Sequence, residues 1–359
     1  MGEKLNVAVV FGGKSGEHEV SLMSATNVIK AMDKEKYNIF MIGITKQGKW
    51  MAYEGDLDKI IDGSWEKEAE KLERKQTVDL LFSEILKGEG KSSIDVVFPV
   101  LHGPNGEDGT IQGLLELLDV PYVGCGVTAS AIGMDKAISK QLFQSIGLPV
   151  CNYEVIMKTE IQKDIYGIVS RIEASFNYPV FVKPVNMGSS VGISKAHGKE
   201  ELAAALKEAC KYDRKILVEE YINCREIECS VLGNDEPEVS GVGEIIPSHE
   251  FYDYEAKYFD DGKSILIIPA RLNGEKVAEI RDIAKRAYKV LDCCGMSRVD
   301  FFLEKGTDKV YINEVNTIPG FTKISMYPKL WDAAGIGYGE LIDRLIDLSL
   351  EMYDQKRSI

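Results

Sequence analysis

The chain has 359 residues, 45% of them hydrophobic, which is enough for two or three domains with full cores. Its 57 acidic residues outnumber 43 lysines and arginines, and a formal charge of -14 argues against nucleic acid as a partner, because that binding needs a basic surface. No run of 18 apolar residues occurs, Met1-Gly2-Glu3-Lys4 lacks the apolar stretch of a secretory leader, and seven cysteines have no paired spacing, so the expectation is a cytoplasmic protein without membrane contact and with reduced thiols.

In chain order, a strand over 6–11 runs into Gly12-Gly13-Lys14-Ser15-Gly16-Glu17-His18-Glu19 and then a helix over 21–32. A second strand, over 94–100, leads to Leu101-His102-Gly103-Pro104-Asn105-Gly106-Glu107-Asp108-Gly109 and a helix over 110–118. Strands alternating with helices predict an α/β domain with a parallel sheet, whose ligands lie beyond the carboxyl ends of the strands, where both glycine loops fall. The first turn is neither G-x-G-x-x-G nor a Walker loop. Glu17 has two readings: it is aimed at a ligand's amine, or it decorates a helix N-terminus, where a carboxylate is favoured anyway.

A helix over 131–146 ends at Gly147 and Pro149. Next come a strand over 180–184, the loop Val185-Asn186-Met187-Gly188-Ser189-Ser190-Val191-Gly192, a strand over 193–195, a helix over 200–211 and a strand over 216–222. A small Gly/Ser loop offers backbone N–H groups and hydroxyls to an anion, and Lys183 beside it supplies positive charge, so the pattern suits a phosphate better than a plain hairpin loop. With a nucleotide there, adenine would lie along Glu219, Glu220, Tyr221 and Ile222, and Glu226 would accept from ribose. Without one, the segment reads as a half-buried strand with exposed acids. Lys136 is within reach of phosphates in principle, though a lone helical lysine commonly does nothing specific.

The segment 248–263 carries Phe251, Tyr252, Asp253, Tyr254, Glu255, Lys257, Tyr258, Asp260 and Asp261, too polar for a core strand. It is either a lid that excludes water or surface decoration. A long helix over 275–291 and an amphipathic closing helix over 338–354 flank a hairpin whose strands carry Arg298-Val299-Asp300 and Glu314-Val315-Asn316, joined through the turn Lys305-Gly306-Thr307-Asp308. Alternation puts Arg298 and Asp300 on one face and Glu314 and Asn316 on the matching face of the return strand. Two carboxylates and an amide oxygen suit Mg²⁺ completed by phosphate oxygens, and the arginine suits a phosphoryl group. A solvated sheet face is the competing reading, weakened by the turn Thr317-Ile318-Pro319-Gly320 that ends the strand beside these groups.

Taken together, the Gly12-Gly13 turn with Glu17, His102-Gly103 with Gly106 to Gly109, Lys183-Pro184 with Gly188-Ser189-Ser190-Val191-Gly192, the Tyr252 to Tyr258 segment, Arg298-Val299-Asp300 and Glu314-Val315-Asn316 closely resemble the D-alanine–D-alanine ligase family of the ATP-grasp superfamily. The resemblance implies an α/β fold (α+β overall) in three domains: a Rossmann-like substrate-binding domain over 1–125, a central subdomain with the phosphate loop over 126–214, and a C-terminal subdomain with metal site and lid over 215–359. It implies ligation of two D-alanine molecules with ATP through an acyl phosphate, for peptidoglycan precursors, by a cytoplasmic homodimer. On this pattern Lys136, Lys183, Ser189 and Ser190 would meet ATP phosphates, 219–222 with Glu226 would meet adenosine, and Lys257 of the lid would also contact the nucleotide. Asp300, Glu314 and Asn316 would hold two Mg²⁺ or Mn²⁺ ions. Glu17 would take the first ammonium with Ser189 and Tyr258 beside it, and His102 would lie near. Arg298, Gly320, Ser325 and Met326 would meet the second substrate. Met326 stands where resistance-type relatives carry arginine, which favours D-alanine there. The alternatives are a D-alanyl-D-serine or other carboxylate–amine ligase, and a catalytically silent nucleotide-binding module.

Overall fold

The structure is a computed structural model that describes residues 3–71, 94–247 and 264–358. The first sheet consists of β1 (Leu5–Gly12), β2 (Tyr37–Ile44), β3 (Trp50–Tyr53) and β4 (Val96–Val100), in the order β3-β2-β1-β4. β1 is parallel to β2 and β4, as alternating strands and helices predict, and β3 closes one edge antiparallel. Val7, Val9 and Phe11 of β1 face one core and Ala8 and Val10 face another, so this strand is buried on both sides. The helix His18–Ala31 covers the first face, joined there by the last helix, Tyr338–Arg357, through Leu341, Ile342, Leu345 and Ile346. The chain thus ends on the domain where it began.

The second sheet is antiparallel: β5 (Tyr153–Met157), β6 (Val180–Pro184), β7 (Ser194–Ala196) and β8 (Lys215–Glu220), in the order β5-β8-β6-β7. β8 pairs with both β5 and β6, so residues 215–220 sit in this sheet and not in the third region where the 214/215 boundary would put them. The strand expected over 216–222 stops at Glu220, which leaves Tyr221 exposed beyond its end.

The helix expected over 131–146 is two helices, Val127–Met134 and Lys136–Ser145. Asp135 breaks it: its backbone is extended, and its carboxylate accepts hydrogen bonds from Ala137 N (3.2 Å) and Ile138 N (3.0 Å). An N-cap in mid-segment starts a new helix. Lys136 becomes the first residue of that helix.

The third sheet is also antiparallel: β9 (Cys224–Leu232), β10 (Glu238–Ile246), β11 (Ile265–Ile267), β12 (Met296–Glu304) and β13 (Val310–Asn316), in the order β11-β10-β9-β12-β13. The helix Gly274–Val290 buries Ile280, Ala284, Ala287 and Tyr288 against Ile227, Cys229, Val299 and Phe301 on one face. The alternating residues Glu228, Arg298 and Asp300 therefore fall on the other face. That polar face looks toward the second sheet.

Candidate active site

Arg298 lies opposite Asn316, and Asp300 opposite Glu314, across the β12–β13 pair. The register then shifts so that Phe301 faces Ile312, a bulge at Asn313 next to the polar cluster. Arg298 Nε and Nη2 donate to the two Asp300 carboxylate oxygens at 2.7 and 2.6 Å, and Asn316 Nδ2 donates to Asp300 Oδ2 at 3.0 Å. Glu228 of β9 adds a second carboxylate 3.0 Å from Arg298 Nε. The four groups predicted from the hairpin do converge.

Lys136 joins this hairpin to the serine loop. Its Nζ donates to the Met187 carbonyl at 2.9 Å and pairs with Glu314 Oε2 at 3.1 Å. Ser189 and Ser190, in the β6–β7 loop, both adopt positive φ (47° and 60°). Such a conformation costs non-glycine residues roughly 1–3 kcal/mol each and is concentrated in ligand-binding loops. From the floor of the same cleft, Lys183 Nζ pairs with Glu219 Oε2 at 2.5 Å. Burial would raise the pKa of Glu219, but the charges of Lys140 and Lys183 outweigh it and hold the carboxyl well below its usual range.

Glu17 is 7% exposed and stands at the N-cap of the helix His18–Ala31, as one reading of it expected, but its side chain makes no cap hydrogen bond and turns to the serine loop instead. Its Oε1 accepts from the Ser189 hydroxyl. Oε2 lies against two glycines: a Cβ on Gly103 would come within 2.5 Å of it and one on Gly188 within 2.8 Å. Only residues without side chains let both loops approach this carboxylate so closely. His102 is also buried; its Nδ1 lies 3.1 Å from the Ile318 carbonyl and its Nε2 3.2 Å from Ser24 Oγ, which in turn accepts from Phe321 N at 3.2 Å. His102 and Ser24 thus fix the loop that presents Gly320. Burial lowers the His102 pKa, yet Glu107, Glu17 and the Ile318 carbonyl carry it above the ordinary value.

Two cavities collect the predicted residues. One of about 90 Å³ is lined by Glu17, His102, Ser189, Arg298, Gly320 and Ser325, with Met326 also on its wall. Another, of about 520 Å³, lies between the second and third sheets, and Lys183, Ser190, Glu219, Tyr221, Glu226 and Asp300 line it, as do Glu220 and Ile222. Lys136, Ser189 and Glu314 belong to both. Glu220 also accepts from Asn152 N at 2.7 Å. Met326 packs on Ile245 and Leu330, and its sulfur would be 2.6 Å from a Cβ on Gly243. Lys257 and Tyr258, with the whole segment 248–263, lie outside the described residues.

Among the described residues, no group of three or more His, Cys, Asp or Glu is placed to hold a metal. The hairpin set is instead two carboxylates and an amide, a hard oxygen-donor set that fits Mg²⁺ when phosphate oxygens complete the shell. In the structure Arg298 and Lys136 neutralise these acids. Sequence reasoning missed three polar residues: Glu228, Ser24 and Lys140. Lys140 carried a signal, since it falls one turn after Lys136 on the helix face that also holds Ala137 and Phe143.

Residues 6–125 match a family model described as D-ala D-ala ligase N-terminus, and 142–347 one described as D-ala D-ala ligase C-terminus. The chain is 57% identical over 358 residues to the D-alanine--D-alanine ligase of Thermoanaerobacter sp. (strain X514), covering 99% of each chain. It is 55% identical to that of Acetivibrio thermocellus, covering 99% of this chain and 98% of the relative. Among solved structures, the D-alanine-D-alanine ligase of Coxiella burnetii superposes with a TM-score of 0.86 at 36% identity, covering 99% of this chain and 97% of that one. The VanG D-Ala:D-Ser ligase of Enterococcus faecalis gives 0.83 at 39% identity, covering 97% and 100%.

Proposed function

The chain belongs to the D-alanine–D-alanine ligase family and is an ATP-dependent ligase that joins two D-alanine molecules, and from that premise we propose how its residues divide the reaction. The observation that carries the division is Lys136, whose ammonium bridges the serine loop and the hairpin. It ties a phosphate-binding loop on one sheet to an oxygen-donor set on another. ATP lies in the larger cavity, adenosine along 219–222 with Glu226, phosphates against Lys136, Lys183 and the Ser189-Ser190 loop. The two amino acids occupy the smaller cavity, from Glu17 at one end to Ser325 at the other.

The carboxylate of the first D-alanine attacks the γ-phosphorus of ATP; the bond to the β–γ bridging oxygen breaks, giving an acyl phosphate and ADP. Glu17, held by Ser189, binds the ammonium of that substrate and fixes its carboxylate toward the phosphate. Lysines 136 and 183 offset the charge on the transferring group. The second D-alanine, its ammonium having lost a proton to solvent, attacks the activated carbonyl through its amine; the bond from the carbonyl carbon to the phosphate oxygen breaks, and inorganic phosphate leaves and can take up the second proton that the nitrogen sheds. Arg298 and the Gly320 N–H stabilise the tetrahedral oxyanion. Asp300, Glu314 and Asn316 would hold two Mg²⁺ or Mn²⁺ ions, which neutralise phosphate charge when bound. No side chain needs to act as a nucleophile.

We further assign the product to peptidoglycan precursors in the cytoplasm and the working unit to a homodimer, on family grounds. Among the described residues no helix is long and apolar enough to cross a membrane. The relation to a D-Ala:D-Ser ligase at 39% identity keeps D-serine as the second reading for the second site. Lys183→Ala tests the division of roles. It should fold yet lose ATP turnover, and near-normal ADP production by that variant overturns it.

A further inference from the structure

Lys140 is 0% exposed and lines neither cavity. Its Nζ lies 2.8 Å from Glu219 Oε1, while the other oxygen of that carboxylate takes Lys183 at 2.5 Å. Glu219 is 2% exposed, and its Oε1 has no well-aligned hydrogen bond among the described residues, so the Lys140 ammonium is the charge it faces. The neighbours of Lys140 offer little else: Cys151 Sγ at 3.6 Å and the face of Tyr153 at 6.0 Å. A lysine on the core-facing side of a helix is expensive to bury without a partner. Burial alone would depress its pKa, yet Glu219 holds it above the usual lysine range.

Charge counting gives this triad a purpose. Lys183 and Glu219 alone form a neutral pair, in which the carboxylate cancels the positive charge that phosphates are to meet. With Lys140 behind it the triad carries a net positive charge, and in a poorly solvated pocket that difference acts strongly on an anion a few ångströms away. We propose that Lys140 is a positioning residue of the nucleotide site: it occupies and neutralises Glu219 from inside the core, leaving the charge of Lys183 uncompensated toward the nucleotide's phosphates. The inference rests on the reading of Lys183 as a phosphate ligand. It adds that the strength of this ligand is set by a side chain that lines neither cavity, one turn along the helix from Lys136.

The test is equilibrium binding of ADP and of adenosine to full-length Lys140→Met, Lys140→Arg and Lys183→Ala, with thermal melting to establish folding. Lys140→Met should bind ADP about tenfold or more weakly while adenosine affinity stays within about threefold, because only ADP carries phosphates. Lys140→Arg, which keeps the charge, should stay within about threefold for both. Equal weakening of ADP and adenosine marks a packing effect or a displaced Glu219 at the adenosine end and overturns the proposal, as does unchanged ADP affinity. Lys183→Ala separates the two levels: if it binds ADP like the parent, the phosphate role beneath the inference fails. If it weakens ADP and Lys140→Met does not, only the role of Lys140 fails. Should Lys140→Met not fold, Lys140→Gln takes its place with the same outcomes; failure of both to fold makes Lys140 a residue of the fold and overturns the proposal.

Discussion

The Ser189 hydroxyl donates to Glu17, joining residues 172 positions apart and closing the serine loop of the second sheet onto the first domain. On the proposed division of roles, substrate ammonium and ATP phosphates are thereby referred to one loop. Replacing Glu17 by Gln keeps the shape and removes the charge. A hydrogen bond to a charged group contributes about 1.5–3 kcal/mol, so first-site affinity for D-alanine should fall roughly 10- to 100-fold. ADP affinity should not change. Unchanged D-alanine affinity in a substrate titration contradicts the ammonium role.

Gly103 has φ +72°, and a Cβ there would stand 2.5 Å from Glu17 Oε2. Gly103→Ala therefore strains the backbone and displaces the carboxylate. Stability should drop by about 1–3 kcal/mol, and KM for D-alanine should rise while KM for ATP holds. Melting curves and steady-state kinetics check both; a parallel rise in the two KM values points to general distortion.

His102 binds its proton more tightly when folded, with Glu107 Oε1 at 4.0 Å from Nδ1. A folded pKa above the unfolded value contributes stability that is complete below the unfolded pKa, near 6.5, and is lost as pH rises through the folded one. The stability difference between the parent and Glu107→Gln should therefore shrink as pH is raised from about 6 upward. Denaturation midpoints of both proteins across that range give the answer, and a constant difference contradicts the coupling.

Asp300 accepts from Arg298 at two oxygens and from Asn316 at one of them. Asp300→Asn removes a carboxylate from the donor set and loosens the arginine. The Mg²⁺ concentration for half-maximal ADP release should rise at least about tenfold, an effect typical of weakened metal sites. A Mg²⁺ titration that matches the parent removes Asp300 from the ligand set.

Much of this site was legible because strand alternation is a local rule. Arg298, Asp300, Glu314 and Asn316 could be placed on one face from the pattern of 298–316 alone, and β12 and β13 pair that way. The parallel sheet followed from the order of elements, strands alternating with helices, and β1 does run parallel to β2 and β4. Elements decided by single contacts were not legible. Asp135 splits a helix because its carboxylate finds two backbone N–H groups, a competition that periodicity does not register. Lys215–Glu220 joins the second sheet through pairing with β5 and β6, which no property of the segment announces. Glu228 and Lys140 belong to the site because Arg298 and Glu219 meet them in space.

ADP release with D-alanine as the only amino acid, followed by mass identification of the product, tests the central claim most directly. The account predicts ATP turnover that depends on D-alanine and yields D-alanyl-D-alanine. Turnover that begins only when D-serine or D-lactate joins D-alanine would contradict it.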